Sequence, residues 1–255
     1  MPLEVVTIPC RSDNYAFLLH DSDSGNTVLI DAPEAGPILA ELEARGWAIS
    51  VLLITHHHDD HVEAVETFRA RDNCIVIGAK ADAHRLPPLD SAVEEGDTID
   101  FSGHKIEVMD VSGHTVGHLA FYVPDAQAAF TADSLMACGC GRLFEGTAEM
   151  MWASLSKLAA LPPETLICSG HEYTAANAKF AATIEPDNPA LISRIGDIET
   201  ARAAGTPTVP STLQLELDTN PFLRARLPQV KTAIGMQEAS DAAAFGEIRR
   251  RKDAF

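Results

Sequence analysis

Positive charge is what this chain of 255 residues has least of. Nineteen Lys and Arg stand against 37 Asp and Glu, a formal net charge of −18. Phosphate backbones are held by clustered basic side chains, so no nucleic-acid partner is expected. An anionic membrane surface is disfavoured for the same reason. Long apolar runs are missing too: the longest, such as Val51-Leu52-Leu53-Ile54, fall far short of the ~20 residues of a membrane helix. The opening stretch from Met1 to Tyr15 has no basic region leading into an apolar run, so no secretory leader is expected. Five cysteines (Cys10, Cys74, Cys138, Cys140, Cys168) are an odd number without framework spacing. Reduced thiols and a cytoplasmic location are therefore the expectation. Internal repeats and low-complexity tracts are absent. What remains is an ordinary globular composition, 46% hydrophobic and 22% charged, with length for one or two domains of ~150 residues. If the ligand is an anion, the few basic residues must be gathered where it binds.

The first ~170 residues alternate short β-rich runs with turn signals. Ala16–Leu19, Thr27–Ile30, Val51–Ile54, Cys74–Gly78, Ile106–Val111, Leu119–Val123, Ala128–Thr131 and Thr165–Cys168 read as strands. Pro37–Arg45 reads as a helix with Gly46 at its C-terminal cap. Several neighbours are hairpin-like, so mixed sheets are expected. After about residue 172 the chain turns helical. Tyr173–Thr183 is Ala-rich, Pro189 is suited to open a helix running to about Ala204, and the segment from about Gln237 to Lys252 is again helical.

One stretch dominates the chemistry. An apolar run ends at Ile54 and is followed by Thr55-His56-His57-His58-Asp59-Asp60-His61. At a strand end, residues i and i+2 can point the same way, so His56 and His58 can share one metal while Asp60 and His61 reach a second. A solvated polar loop is the alternative. Three further segments bear on that choice: Ser112-Gly113-His114-Thr115-Val116-Gly117-His118, Thr131-Ala132-Asp133-Ser134 and Ser169-Gly170-His171-Glu172 each follow a strand. Active sites of α/β folds commonly collect at such strand ends. Cys138 and Cys140 form a C-x-C in a Gly-rich turn, where two thiols alone do not specify a metal site. Asp31, after Val28-Leu29-Ile30, reads either as an acceptor for a ligand imidazole or as a plain strand-end aspartate.

THHHDDH, SGHTVGH, TADS and SGHEYT, in this order, resemble the metallo-β-lactamase superfamily. Within it the chain is similar to the glyoxalase II family, the hydroxyacylglutathione hydrolases. Gly139-Cys140-Gly141-Arg142-Leu143-Phe144-Glu145-Gly146-Thr147, the Gly170–Thr174 run, the helical second part and the ending Arg249-Arg250-Arg251-Lys252-Asp253 carry that likeness. The resemblance implies an αββα sandwich of two mixed β-sheets flanked by helices, with a dinuclear metal domain over residues 1–172 and a mainly helical glutathione-binding domain over 173–255. It implies His56, His58 and His114 as ligands of one divalent metal ion, Asp60, His61 and His171 as ligands of a second, and Asp133 as the bridge. Such N/O sets suit Zn, Fe or Mn. It places Arg142, Phe144, Tyr173, Arg249 and Lys252 at the substrate. His57 and Asp59 are expected to face away, and His118, His20, His84 and His104 to be structural or surface residues. The chain departs from the family at Val62–Glu66, where a Gly-rich run ending in Asn is familiar, at Arg142, where lysine is usual, and at Phe144, where tyrosine can occur.

The implied reaction is hydrolysis of S-(2-hydroxyacyl)glutathione, S-D-lactoylglutathione above all, to glutathione and a 2-hydroxy acid such as D-lactate, the second step of methylglyoxal detoxification. A metal-bridging hydroxide, hydrogen-bonded to Asp60, would attack the thioester. A monomer acting on a small glutathione thioester is expected. Rival readings are a mononuclear-iron glutathione persulfide dioxygenase of the same superfamily, a flavodiiron electron carrier, a lactonase or β-lactamase, and a metal-buffering scaffold. Retention of Asp60, His61 and His171 together with the basic ending favours the hydrolase.

Overall fold

The apolar runs of the first half become strands of two sheets in a computed structural model that describes residues 3–255. The chain resolves into two units. One takes in the residues up to Asp110 and Val116–Ala132, the other Val111–Thr115 and Asp133–Phe255.

In the first unit, β1 (Leu3–Cys10), β2 (Asn14–Asp21), β3 (Thr27–Ile30), β4 (Ile49–Leu53), β5 (Ile75–Ala79) and β6 (Ser91–Val93) form one sheet in chain order. The β1–β3 pairs are antiparallel and the β3–β6 pairs parallel, so the sheet is mixed as expected. β2 and β3 are buried at every residue, which explains their unbroken apolar runs. Helix α1 (Ala35–Arg45) joins β3 to β4 and ends at Gly46 with φ 70, the left-handed cap that glycine adopts without strain. Two short helices, α2 (Asp59–Val62) and α3 (Val65–Asp72), follow β4. The sequence pattern does not show them, because α2 is four residues drawn mostly from the His/Asp run and α3 buries only Val65 and Phe68. A second sheet takes β7 (Thr98–Phe101), β8 (His104–Asp110), β9 (Leu119–Val123) and β10 (Ala128–Ala132) from this unit, with antiparallel pairing. Phe17 of β2 meets Phe130 of β10 with ring centroids 5.7 Å apart, both rings buried, so the two sheets share a core.

In the second unit, β11 (Leu135–Met136) and β12 (Gly139–Cys140) make a small hairpin, and β13 (Leu166–Ser169) pairs antiparallel with β14 (Ser211–Thr212). The rest is helical: α4 (Ala148–Leu158), α5 (Thr174–Ile184), α6 (Pro189–Ala203), α7 (Leu213–Thr219), α8 (Pro228–Ile234) and α9 (Asp241–Asp253). Thr147, Asn188 and Ser240 cap α4, α6 and α9 by accepting from backbone N–H groups. Pro189 opens α6 as expected. The last helix starts at Asp241, four residues later than the reading from Gln237, because Ser240 supplies the cap. Phe180, Phe222 and Phe245 are fully buried, with centroid separations of 6.1 and 5.8 Å along the series. No helix among the described residues is long and apolar enough to cross a membrane.

Candidate metal centre

The first unit presents His56, His58, Asp60 and His61 just beyond β4. β3 and β4 are parallel neighbours with Ile30 opposite Leu53, so the residues that follow them emerge side by side. Asp31 uses that proximity. Its Oδ1 accepts from the Thr55 N–H at 2.8 Å, and its Oδ2 accepts from the Thr55 hydroxyl and from His61 Nδ1, both at 2.7 Å. The Thr55 hydroxyl proton is committed to Asp31, so Thr55 Oγ1, 3.0 Å from His56 Nδ1, accepts from that nitrogen. Both imidazoles are fixed as Nδ1–H tautomers, and each keeps an Nε2 lone pair. His56 Nε2 lies 3.1 Å from His58 Nδ1, and His61 Nε2 lies 3.9 Å from Asp60 Oδ2. Asn14 Nδ2 donates to Asp60 Oδ2 at 3.0 Å and to its carbonyl at 3.1 Å. Sequence reasoning missed Asn14, which carries no local signal.

His57 and Asp59 do turn away from this cluster. His57 Nδ1 pairs with Asp82 at 2.8 Å, and Asp59 is exposed. His118 stacks on His56 with centroids 4.6 Å apart and donates from Nδ1 to the Leu119 carbonyl. His20 stacks on Trp47, His104 pairs with Asp125, and His84 is exposed. Within Val62–Glu66, Glu63 accepts from the Arg11 guanidinium, and the Ala64 N–H donates to the Ala32 carbonyl. Both contacts tie this segment to other loops, Arg11 lying between β1 and β2 and Ala32 just after β3.

The second unit presents His114, Asp133 and His171. His114 Nε2 and His171 Nε2 each lie 3.4 Å from the same oxygen, Asp133 Oδ2. His114 Nδ1 donates to the Arg142 carbonyl at 2.8 Å, which again leaves the Nε2 lone pair facing the carboxylate. The His114 lone pair and the Asp133 oxygen repel one another unless a cation stands between them, so this donor set fits a divalent ion. The ion also suits the set in hardness: imidazole and carboxylate together take Zn, Fe or Mn. Close packing holds the three in place. A Cβ on Gly141 would sit 1.9 Å from the Asp133 carbonyl oxygen and 3.0 Å from His114 Nδ1. Ala132, just before Asp133, has φ 40, strained for a residue with a side chain.

The residues expected at the substrate divide. Phe144 stands with its ring 5.2 Å from His114, and Tyr173 stacks on His171 at 4.7 Å. Arg142 is 65% exposed, with Nε 3.8 Å from Asp253. Lys252 donates to the Ala176 carbonyl at 3.1 Å and lies over Phe180 and Phe255. Arg249 is turned inward instead: its side chain is 7% exposed, and it donates to the Cys140 carbonyl at 3.0 Å and to Asp253 at 2.8 Å. All five cysteines are buried free thiols. Burial pushes Cys138 up to about 12 and Cys140 up to about 11, so neither is a nucleophile at neutral pH.

The family model described as "Metallo-beta-lactamase superfamily" matches residues 12–171, and the one described as "Hydroxyacylglutathione hydrolase C-terminus" matches residues 172–255. A hydroxyacylglutathione hydrolase of Ruegeria pomeroyi is 62% identical over 255 residues, all of both chains. One of Rhizobium meliloti is 52% identical over 253 residues, 99% of each. Among solved structures, the BLEG-1 B3 metallo-beta-lactamase aligns with a TM-score of 0.68 at 20% identity, covering 86% of this chain and 99% of that one. ETHE1 from Myxococcus xanthus aligns with a TM-score of 0.66 at 21% identity over 98% and 90%. TTHA1623 in a di-iron-bound form aligns with a TM-score of 0.62 at 26% identity over 86% and 100%. The chain belongs, within the metallo-β-lactamase superfamily, to the hydroxyacylglutathione hydrolase family.

Proposed function

We propose that this protein hydrolyses the thioester of S-(2-hydroxyacyl)glutathione, with S-D-lactoylglutathione as principal substrate, releasing glutathione and a 2-hydroxy acid. The observation that carries the reading is the second unit, where two aromatic rings, Phe144 and Tyr173, lie against the very imidazoles that face Asp133, with Arg142 exposed beside them. A metal-type donor set flanked by rings and a guanidinium suits an anionic acyl thioester. Full-length relatives named hydroxyacylglutathione hydrolase favour this reaction over the persulfide dioxygenase alternative.

In this reading the chain would hold two divalent ions, zinc foremost, one through His56, His58 and His114, the other through Asp60, His61 and His171, with Asp133 serving both. Bound ions of this kind lower the pKa of water from 15.7 to about 7 and neutralise charge on a carbonyl oxygen. Asp60, steadied by Asn14, takes the hydrogen bond of the attacking water and aligns it. Water gives up a proton to solvent as it adds to the thioester carbon, the C–S bond breaks, and glutathione leaves as a thiolate that needs no strong acid. Arg142, Arg249 and Lys252 hold the carboxylates of glutathione, Phe144 covers its body, and Tyr173 donates a hydrogen bond. Residues 1–172 supply the chemistry and 173–255 the glutathione contacts. The protein acts as a cytoplasmic monomer.

The test is turnover of S-D-lactoylglutathione by purified, metal-analysed protein, beside an oxygen-uptake assay with glutathione persulfide. Thioester loss with about two ions per chain is expected. Absence of thioester loss with two ions bound, or oxygen uptake with one iron, overturns the reading.

A further inference from the structure

Asp82 is a fully buried carboxylate at the end of a 3-10 turn, Lys80–Asp82, that directly follows β5. A buried charge is costly unless its oxygens find partners. Oδ1 accepts from the Arg85 Nε–H, and Oδ2 accepts from His57 Nδ1 at 2.8 Å. Arg85 reaches further, donating from a terminal nitrogen to the Val116 carbonyl at 3.1 Å. Gly117, at φ 90, lies so close that a Cβ there would stand 2.9 Å from the Asp82 Cβ.

Both sets of contacts lead to the His/Asp run, and all of them lie within the first unit. His57 stands between His56 and His58, whose facing nitrogens are 3.1 Å apart. The His57 ring is turned nearly square to both neighbours, at 82° to His56 and 67° to His58. In extended chain, neighbouring side chains leave the backbone on opposite sides. Tying His57 down on one side therefore turns His56 and His58 to the other. The Val116–Leu119 segment supports the run from behind. The Leu119 N–H donates to the Thr55 carbonyl at 2.9 Å, and the buried His118 ring stacks on His56 with centroids 4.6 Å apart. Asp82 thus touches a residue inside the run and, at Gly117, the segment that backs it. Three adjacent imidazoles have many rotamers in which the outer two diverge. A fixed central residue lowers the cost of bringing both nitrogens to one ion.

We infer that Asp82 is a positioning residue of the metal centre: it holds His57 directly, and with Arg85 it holds the 116–118 segment behind His56, so that His56 and His58 are set toward one ion. The inference rests on His56 and His58 as metal ligands and not on the reaction proposed above.

The experiment measures the zinc affinity of the full chain, stripped of metal beforehand, by competition with a chromogenic chelator. Wild type is compared with Asp82→Asn, His57→Phe, the double variant and His57→Asn, each checked for native circular dichroism. Asp82→Asn and His57→Phe are each expected to weaken zinc binding about tenfold. Because the two residues act along one route, the double variant is expected to bind no more weakly than Asp82→Asn alone. His57→Asn, whose Nδ2 can take the place of the imidazole Nδ1, is expected to recover most of the affinity lost in His57→Phe. That recovery separates the hydrogen bond from the packing of the ring. Arg85→Gln takes the place of Asp82→Asn in the comparison if the latter does not fold. Wild-type affinity in Asp82→Asn overturns the inference, as do losses that multiply to about a hundredfold in the double variant. If wild type binds zinc but turns over no thioester, the proposed hydrolysis fails and the affinities still decide this inference. If wild type takes up no ion, the ligand reading fails and the inference with it.

Discussion

Asp31 Oδ2 accepts the Nδ1 proton of His61 at 2.7 Å, and does so from a residue whose own backbone is left-handed, with φ 57. Through Thr55 the same carboxylate also settles the tautomer of His56. One buried group thus orients two imidazoles that the sequence offers merely as neighbours in a His/Asp run. Asparagine tolerates the left-handed region, so Asp31→Asn keeps the backbone and removes the charge. We expect bound metal to weaken by ~10–100-fold, measured by titration against a chromogenic chelator. Wild-type affinity in this variant would show that Asp31 does not orient the ligands.

Gly141→Ala forces a Cβ to within 1.9 Å of the Asp133 carbonyl oxygen, a backbone atom that cannot swing away. Overpacking of this kind costs ~1–3 kcal/mol and here acts on the ligand set. Lower Tm by calorimetry together with fewer metal ions per chain is the expected outcome. A variant with normal metal content contradicts the close approach.

Glu247 is drawn down to about 2 by its hydrogen bonds with Arg250 and then Arg251. Its stabilising effect is complete above the ordinary glutamate value of 4.5 and fades as pH falls through that window towards 2. The group is near solvent, so the effect is about 1 kcal/mol or less. The difference in Tm between wild type and Glu247→Gln should be constant above pH 5.5 and shrink below about 4.5. A difference that grows on acidification reverses the sign.

Burial, and after it the neighbouring Arg249 guanidinium, pulls Lys252 below the ordinary lysine value of 10.5. Its charge is accordingly lost early as pH rises. If Lys252 holds a substrate carboxylate, KM should climb on the alkaline side before pH 10.5 in the wild type and stay flatter in Lys252→Gln. Parallel KM profiles for the two proteins remove Lys252 from the substrate.

β2 to β5 of the first sheet and the helical texture after residue 172 are readable from local pattern, as β2, β3 and α6 show by their burial and caps, whereas β1 and β6 fall outside that reading. α2 and α3 are not readable, since α2 is four residues drawn mostly from the His/Asp run and α3 buries only Val65 and Phe68. The same holds for α7 and α8, seven residues each, too short for a period to show.

What the sequence by itself determined is the family and a set of candidate donors. His56, His58, Asp60 and His61 lie within six residues at a strand end, and His114, Asp133 and His171 each follow a strand, so chain order alone exposes them as candidates. Tertiary structure alone decided which distant residues pair with one another. Asn14 reaches Asp60 across 46 residues, Glu216 reaches Cys138 across 78, and Arg249 reaches Cys140 across 109. A buried polar group must find a partner wherever the folded chain brings one. Such pairing leaves no period, cap or motif along the sequence, which is why the bond from Arg249 to the Cys140 carbonyl is legible only in the fold.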